Sequence, residues 1–352
     1  MATMRRGAFD IGSGATKLMI ADVHLGPPPH LGDVHFAQEI PVSFTMAWKQ
    51  SSDGTLSPEI QEQGLSVLRQ LLAECVRMGV QEHSAIATEV FRKASNGKAF
   101  LERIRDELNM EVEVVSQENE AQLGFLTAMA LSGRPAAEMI CWDSGGGSFQ
   151  ITSLAPVEVA DGHGPSQLSE LPLQSYLGCW GSGNTAHLLV EAVQGRCFAE
   201  QPSPNPVSAE EAEALVSRLR AELPAPSPSW LRGARVTAIG GPNSMFRLAA
   251  GLLQLLPAGG TSEVEAACYD ANGIRKALQR VLCQSDKELE AMPEIGSGAL
   301  RDPAGFCVPK LCLLLAVVES CGIAEVCFQS AIGSCPGLLV SSRASTSRQQ
   351  NA

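Results

Sequence analysis

Two acids in this chain stand directly before runs of glycine and hydroxyl residues. Asp10 lies in AFDIGSGATKLMIADV, residues 8–23, where an apolar run stops at Asp-Ile-Gly-Ser-Gly and resumes after Thr16. Asp143 lies in MICWDSGGGSFQITS, residues 139–153, with the same order of apolar run, acid, glycine turn and apolar run. Glycine lets a backbone approach something that a Cβ would hold away, and successive N–H groups in such a turn can face an anion. Ser13, Thr16 and Ser148 add hydroxyls. A tight hairpin also asks for glycine, so either turn alone reads first as a plain hairpin. Their recurrence is a weak internal duplication, and it favours two phosphate-binding turns set across a cleft. Other groups with chemistry are Arg92 and the pair Glu118 and Glu120. By type alone, the arginine is a surface residue and the two acids are first-turn helix residues favoured by the dipole.

The elements that must position these residues follow from pattern and punctuation. Phe9 to Val23 reads as two strands joined by the DIGSGAT turn, and VHFAQEIPVSF, residues 34–44, can carry a third. Ser57 caps a helix with Pro58 at its first position. Ile60, Leu65, Leu68, Leu71, Leu72, Cys75 and Val76 form its apolar face, and Gly79 ends it. Ser84–Thr88 is a short strand, Lys98–Leu108 a helix, Glu111–Val115 a strand and Glu118–Leu131 an alanine-rich helix. After the hinge-like SGRPAAE, residues 132–138, come the strands of MICWD and FQITS. A helix follows over EEAEALVSRLRAEL, then a strand over ARVTAIGG with a third glycine turn at Gly240–Gly241, and a helix over Val308–Ser320. This alternation after an opening hairpin predicts mixed α/β domains with largely covered sheets. The expected division is residues 1–131, residues 136–340 and a flexible tail over 341–352.

The chain's 352 residues are 45% hydrophobic and 18% charged, the balance of a folded globular protein. Lys plus Arg number 26 against 38 Asp plus Glu, a formal charge of −12, which argues against nonspecific nucleic-acid binding. It also leaves no basic channel legible for a long polyanion. MATMRRGAF is short and polar for a secretory leader, and the most apolar run, VPKLCLLLAVV at 308–318, is broken by Lys310 and reads as a buried helix. The expectation is a cytoplasmic protein with no membrane contact. Eleven cysteines, an odd number, then imply reduced thiols. The spacings Cys307 to Cys312 and Cys321 to Cys327 are poor matches to zinc or iron–sulfur patterns.

Five segments, DIGSG, ATEVFRKASNG, VVSQENEAQL, WDSGGGSFQI and AIGGPNS, occur in that order. Together they resemble the Ppx/GppA family, the exopolyphosphatases and guanosine pentaphosphate phosphohydrolases, from about residue 7 to residue 340. The resemblance implies a two-domain actin-like (ribonuclease H-like) α/β fold, with a duplicated mixed-sheet core and an inter-domain cleft. It implies metal-dependent hydrolysis of terminal phosphoanhydride bonds in inorganic polyphosphate or guanosine pentaphosphate. Glu120 falls on the family's general base and Arg92 on its phosphate clamp. Gly12, Ser13, Gly14, Gly145, Gly146, Gly147, Ser148, Gly240 and Gly241 fall on its phosphate-binding loops. Asp143 falls on its magnesium ligand, with Gln150 as a further metal candidate and Mn2+ as a substitute ion. A homodimer is compatible with the resemblance.

The departures are specific. Gly14 replaces the family's asparagine, Asn119 its first glutamate, and Gln150 a second acid near the metal, keeping the size but losing the charge. After Gly178-Cys179 the usual arginine is absent. Pro242 and Asn243 alter the third loop. SAIGSCPGLL, residues 330–339, lacks that block's arginine and glutamate and reads as a plain helix–turn. Two alternatives follow: a regulatory protein that binds a phosphate ligand without turnover, and a kinase of the same superfamily.

Overall fold

The computed structural model describes residues 2–26, 28–156, 171–256, 267–296, 304–341 and 347–348. Strands β1 (Thr3–Ile11) and β2 (Ala15–His24) pair antiparallel about the Gly12–Gly14 turn, with Asp10 opposite Lys17, and β3 (His30–Pro41) extends the sheet from β2. Helix α1 (Phe44–Gln50) follows, then α2 (Pro58–Arg77). The Ser57 hydroxyl accepts the Ile60 amide at the start of α2, and Gly79 takes φ +65° just past its end. Ile60, Leu65, Leu68, Leu71 and Cys75 are buried as expected, but Val76 is exposed. Its position one residue past Cys75 turns it off the apolar stripe.

Next come β4 (Glu82–Ala87), α3 (Glu89–Lys93), α4 (Gly97–Leu108), β5 (Glu113–Val114) and α5 (Gln117–Ser132). The strand expected over 111–115 thus pairs only at two residues. β4 lies parallel to β1, and β5 parallel to β4.

The chain continues through β6 (Ile140–Ser144), β7 (Phe149–Leu154), β8 (Leu173–Gly178), α6 (Ser182–Leu188), α7 (Ala209–Glu222), β9 (Arg235–Gly240) and α8 (Met245–Leu252). Then follow β10 (Ala267–Tyr269), α9 (Ala271–Val281), α10 (Asp286–Glu290), α11 (Pro293–Gly296), α12 (Cys307–Cys321), β11 (Glu325–Ser330), α13 (Cys335–Val340) and β12 (Ser347–Arg348). The first sheet has the order β12-β4-β1-β2-β3 with β5 on β4, and the second β10-β11-β9-β6-β7-β8. Two mixed sheets, each carrying a strand–acid–glycine turn, form the duplicated actin-like α/β core. By contact, one compact unit comprises Met1–Met139, Gln150–Ser175 and Ala331–Ala352, and the other Ile140–Phe149 and Tyr176–Ser330. The tail expected over 341–352 falls mostly outside the described residues; within it, β12 pairs antiparallel with β4.

In the first unit, strand alternation splits the apolar residues between two faces. Phe9, Ile11, Leu18 and Ile20 pack with Phe44, Leu68, Phe91 and Phe100 on one side. Ala8, Met19, Ala21 and Val23 pack with Leu123, Leu338 and Leu339, from α5 and α13, on the other. Gly337 permits this second layer, because a Cβ there would stand 2.2 Å from the Leu123 carbonyl oxygen.

In the second unit, α12 is buried from Cys307 to Val318 and packs against α6, α7, α8 and α9. The window Ala304–Cys321 is long and apolar enough to cross a membrane, yet 83% of it is buried inside the protein, as in a core helix. Here one sequence expectation fails. Cys268 on β10 and Cys327 on β11 form a disulfide, although they lie 59 residues apart. The antiparallel register sets them directly opposite each other, a pairing that sequence spacing could not show.

Candidate active site

Parallel pairing of β1, β4 and β5 brings three C-terminal strand ends side by side in the first unit. Register places Asp10 opposite Ile86, and Ile86 opposite Glu113. The residues that leave these ends are therefore the Asp10–Gly14 turn, the Thr88–Arg92 segment and the start of α5. Ligands in α/β sheets bind beyond such ends.

Asp10 is 4% exposed. Its Oδ2 accepts from Lys17 Nζ at 3.5 Å and from the Ser334 amide at 3.0 Å. Its Oδ1 is buried without a hydrogen-bond partner, which is costly for a carboxylate oxygen unless a ligand completes it. Gly333 is required here, since it adopts φ +54° and a Cβ would lie 2.1 Å from Asp10 Oδ2. The segment that reads as a plain helix–turn thus docks on the first acid. The glycine turn is itself tied down: Gly12 N–H donates to Ala15 O, while Ser13 O and Gly14 O accept from Thr45 and Val42. The Gly12 amide is engaged in closing the turn. Peptide planarity points the Gly14 N–H away from the Ser13 carbonyl and its Thr45 partner.

Ser116 caps α5 by accepting the Asn119 amide, and this fixes the helix start. Glu118 is exposed, with its carboxyl held below the usual range by its own backbone amide and the Ser116 hydroxyl. It behaves as the ordinary first-turn acid that its type suggests. Glu120 is different. It is 7% exposed, and Arg92 Nη1 lies 2.6 Å from its Oε1 while also donating to the Val115 carbonyl. Gln150, 2% exposed, donates Nε2–H to Glu120 Oε2 at 3.4 Å. Arg92, Glu120 and Gln150 are therefore one cluster. Arg92 fixes Glu120 to the end of β5, a positioning job that a phosphate clamp alone would not include.

In the second unit, β6 runs parallel to β9 with Asp143 opposite Ile239. Asp143–Ser148 and Gly240–Gly241 consequently leave the same sheet end together. Gly145 N–H closes its own turn on Ser148 O. The carbonyls of Gly145, Gly146 and Gly147 accept from Ser182 N, Gly183 N and Asn184 Nδ2. Because N–H and C=O of one peptide point oppositely, the amides of Gly146, Gly147 and Ser148 face away from residues 182–184. Successive amides presented by one turn can face an anion. Gly181 makes the approach possible: a Cβ would come within 2.4 Å of Gly147 N and 2.5 Å of Gly145 O. The segment that lacks the family arginine instead buttresses the glycine turn. At the third loop, buried Lys310 donates to the Asn243 carbonyl, and Ser244 caps α8.

Sequence reasoning missed Lys17, Ser334 and the 181–184 buttress. Lys17 stands seven residues from Asp10 across a hairpin, so strand pairing was the available signal.

Magnesium takes hard oxygen ligands, often one or two carboxylates plus water and phosphate. Half-buried Asp143 and the unpartnered Oδ1 of Asp10 are donors of that kind. A third group, Cys268, Glu325 and Cys327, brings its ligand atoms within 4.8 Å of one another. Its sulfur donors do not suit magnesium.

A family model for the Ppx/GppA phosphatase family matches residues 34–161, which include Arg92, Glu120, Asp143 and Gln150. Over that stretch the chain matches the Ppx/GppA phosphatase family. Exopolyphosphatase 1 of Mycobacterium tuberculosis is 26% identical over 331 residues, covering 90% of this chain and 85% of that protein. A crystal structure of the Aquifex aeolicus Ppx/GppA member is similar at TM-score 0.69 and 21% identity, over 96% of this chain and 97% of that one. An exopolyphosphatase from Cytophaga hutchinsonii gives TM-score 0.70 at 18% identity, over 96% and 100%. These likenesses carry the Ppx/GppA fold across nearly the whole chain.

Proposed function

We propose that this chain hydrolyses terminal phosphoanhydride bonds of inorganic polyphosphate or a nucleotide polyphosphate. The observation that carries the reading is the placement of Glu120, held by Arg92 and Gln150 where three parallel strands end. Glu120 would accept the proton of an attacking water and orient its oxygen toward phosphorus, the general-base role. Arg92 would hold that carboxylate in place. The N–H groups of Gly14, and of Gly146, Gly147 and Ser148, together with Gly240 and Gly241, would bind phosphate oxygens. Asp143 would hold magnesium. When bound, that ion supplies charge neutralisation on the phosphoryl oxygens.

A second reading has one observation in its favour. The Gln150 amide on Glu120 Oε2 is a neutral donor where the family has an acid, and a donor to the charged form weakens a base. A phosphate-binding regulatory protein without turnover would tolerate this.

Orthophosphate release from tripolyphosphate, long-chain polyphosphate, guanosine pentaphosphate and nucleoside triphosphates, with Mg2+ or Mn2+, separates the readings. Release from at least one is expected. Thermal protection by these ligands without release would support the regulatory reading, and transfer from ATP to a small alcohol would indicate a kinase. Equal rates on short and long chains would argue against an extended binding channel.

A further inference from the structure

Register alone gathers four reactive side chains on one sheet face. Cys327 and Glu325 are two residues apart on β11 and so share a face. Cys268 of β10 sits opposite Cys327, and Arg235 of β9 sits opposite Glu325. The side chains bear this out. Arg235 Nε lies 3.1 Å from Cys327 Sγ and 3.0 Å from Glu325 Oε2, and its Nη2 lies 3.2 Å from Cys268 Sγ. Cys268 and Glu325 are partly exposed, and Cys327 is buried.

We propose that the Cys268–Cys327 disulfide is reversible, and that its reduced form binds a thiophilic divalent cation, Zn2+ in the first instance, through both sulfurs and Glu325. The three ligand atoms lie within 4.8 Å of one another, so opening the disulfide leaves both sulfurs and the carboxylate within reach of one ion, whose bonds to sulfur run about 2.3 Å. Partial exposure leaves a fourth position to water. Two thiolates and a carboxylate carry three negative charges against the ion's two positive ones, and Arg235 offsets the remainder. The same guanidinium favours the thiolate form before the ion arrives.

The chemistry balances with a small-molecule dithiol as reductant. The dithiol gives two electrons and two protons, the protein S–S bond breaks to two thiols, and the dithiol closes to its own disulfide. Zn2+ then replaces the two thiol protons, which pass to solvent. The oxidised and metal-bound forms exclude each other, since a disulfide sulfur has no thiolate to donate. The site is therefore gated by redox state.

The test uses the whole protein. Alkylation after denaturation without reductant labels nine of eleven cysteines if the disulfide is present, in accord with the nine free thiols. Zn2+ is then titrated against a chromogenic chelator, and Co2+ is added separately to read thiolate-to-metal charge transfer. Both are done on oxidised and phosphine-reduced wild type, then on reduced C268S/C327S and reduced E325Q. Exposed Cys179, Cys197 and Cys283 set a background common to all four. The reduced wild type is expected to bind one additional equivalent of Zn2+ with a thiolate–cobalt band that the oxidised protein lacks. The double variant loses that equivalent, and E325Q weakens it by on the order of ten-fold or more. Equal uptake by oxidised and reduced wild type, or labelling of all eleven cysteines without reductant, overturns the proposal. The oxidised–reduced comparison needs no substitution, so misfolding of a variant does not blunt it.

Discussion

Gln150 Nε2 lies 3.4 Å from Glu120 Oε2, so the second oxygen of the proposed base faces an amide. This fixes what Gln150→Glu would do. A carboxylate there sets like charges side by side, which raises the apparent pKa of the pair. As the proposed base, Glu120 would act in its ionised form, so the acid limb of the kcat/KM profile is expected to move up, by on the order of one pH unit or more. Magnesium demand falls if the added charge also reaches the ion. Superimposable pH profiles of Gln150→Glu and wild type would place Gln150 outside the chemistry.

Arg92 joins α3 to the Val115 carbonyl and to Glu120. Arg92→Met leaves a nearly buried carboxylate and a carbonyl short of a donor, at a cost of about 1–3 kcal/mol. Arg92→Lys keeps the charge without the planar fork, so it recovers part of the stability and less of the turnover. Denaturant midpoints and steady-state rates of both variants check this. Equal loss of stability in the two would mean that the charge contributes nothing.

Gly181→Ala drives a methyl group into the 145–147 turn, with Gly147 N only 2.4 Å away. The turn must shift, and a misplacement near 1 Å costs on the order of 100-fold in rate. The expected signature is an unchanged circular dichroism spectrum with raised KM and lowered kcat. Wild-type kinetics would remove the turn from the phosphate site.

Gly337→Ala tests the packing of α13 on α5. Its methyl would meet the Leu123 carbonyl at 2.2 Å and Thr127 Oγ1 at 2.8 Å. Separation of the two helices opens the apolar layer of Leu123, Leu338 and Leu339, and overpacking of this kind costs about 1–3 kcal/mol. A denaturation midpoint equal to that of wild type would contradict the contact.

Much of this was legible because local chemistry and fold agree. The Asp10 hairpin, the Ser57–Pro58 helix start, the alanine-rich α5 and the buried α12 all follow from punctuation and period. The two acid–glycine turns were readable as a repeat. What sequence did not carry were the contacts made by register. Lys17 faces Asp10 only because β1 and β2 pair, Gln150 meets Glu120 from far along the chain, and Cys268 meets Cys327 only across β10 and β11. Val76 misled because apolar type was counted without the angle that places it on the helix.

The most direct measurement is orthophosphate release by wild type and Glu120→Gln on the same polyphosphate substrate, with ligand binding measured in parallel. The amide keeps the shape of the side chain and loses the proton acceptor. Release is expected to fall by on the order of 100- to 10,000-fold, while substrate affinity stays within a few-fold. Undiminished release by a folded Glu120→Gln protein would contradict the assignment of Glu120 as the base.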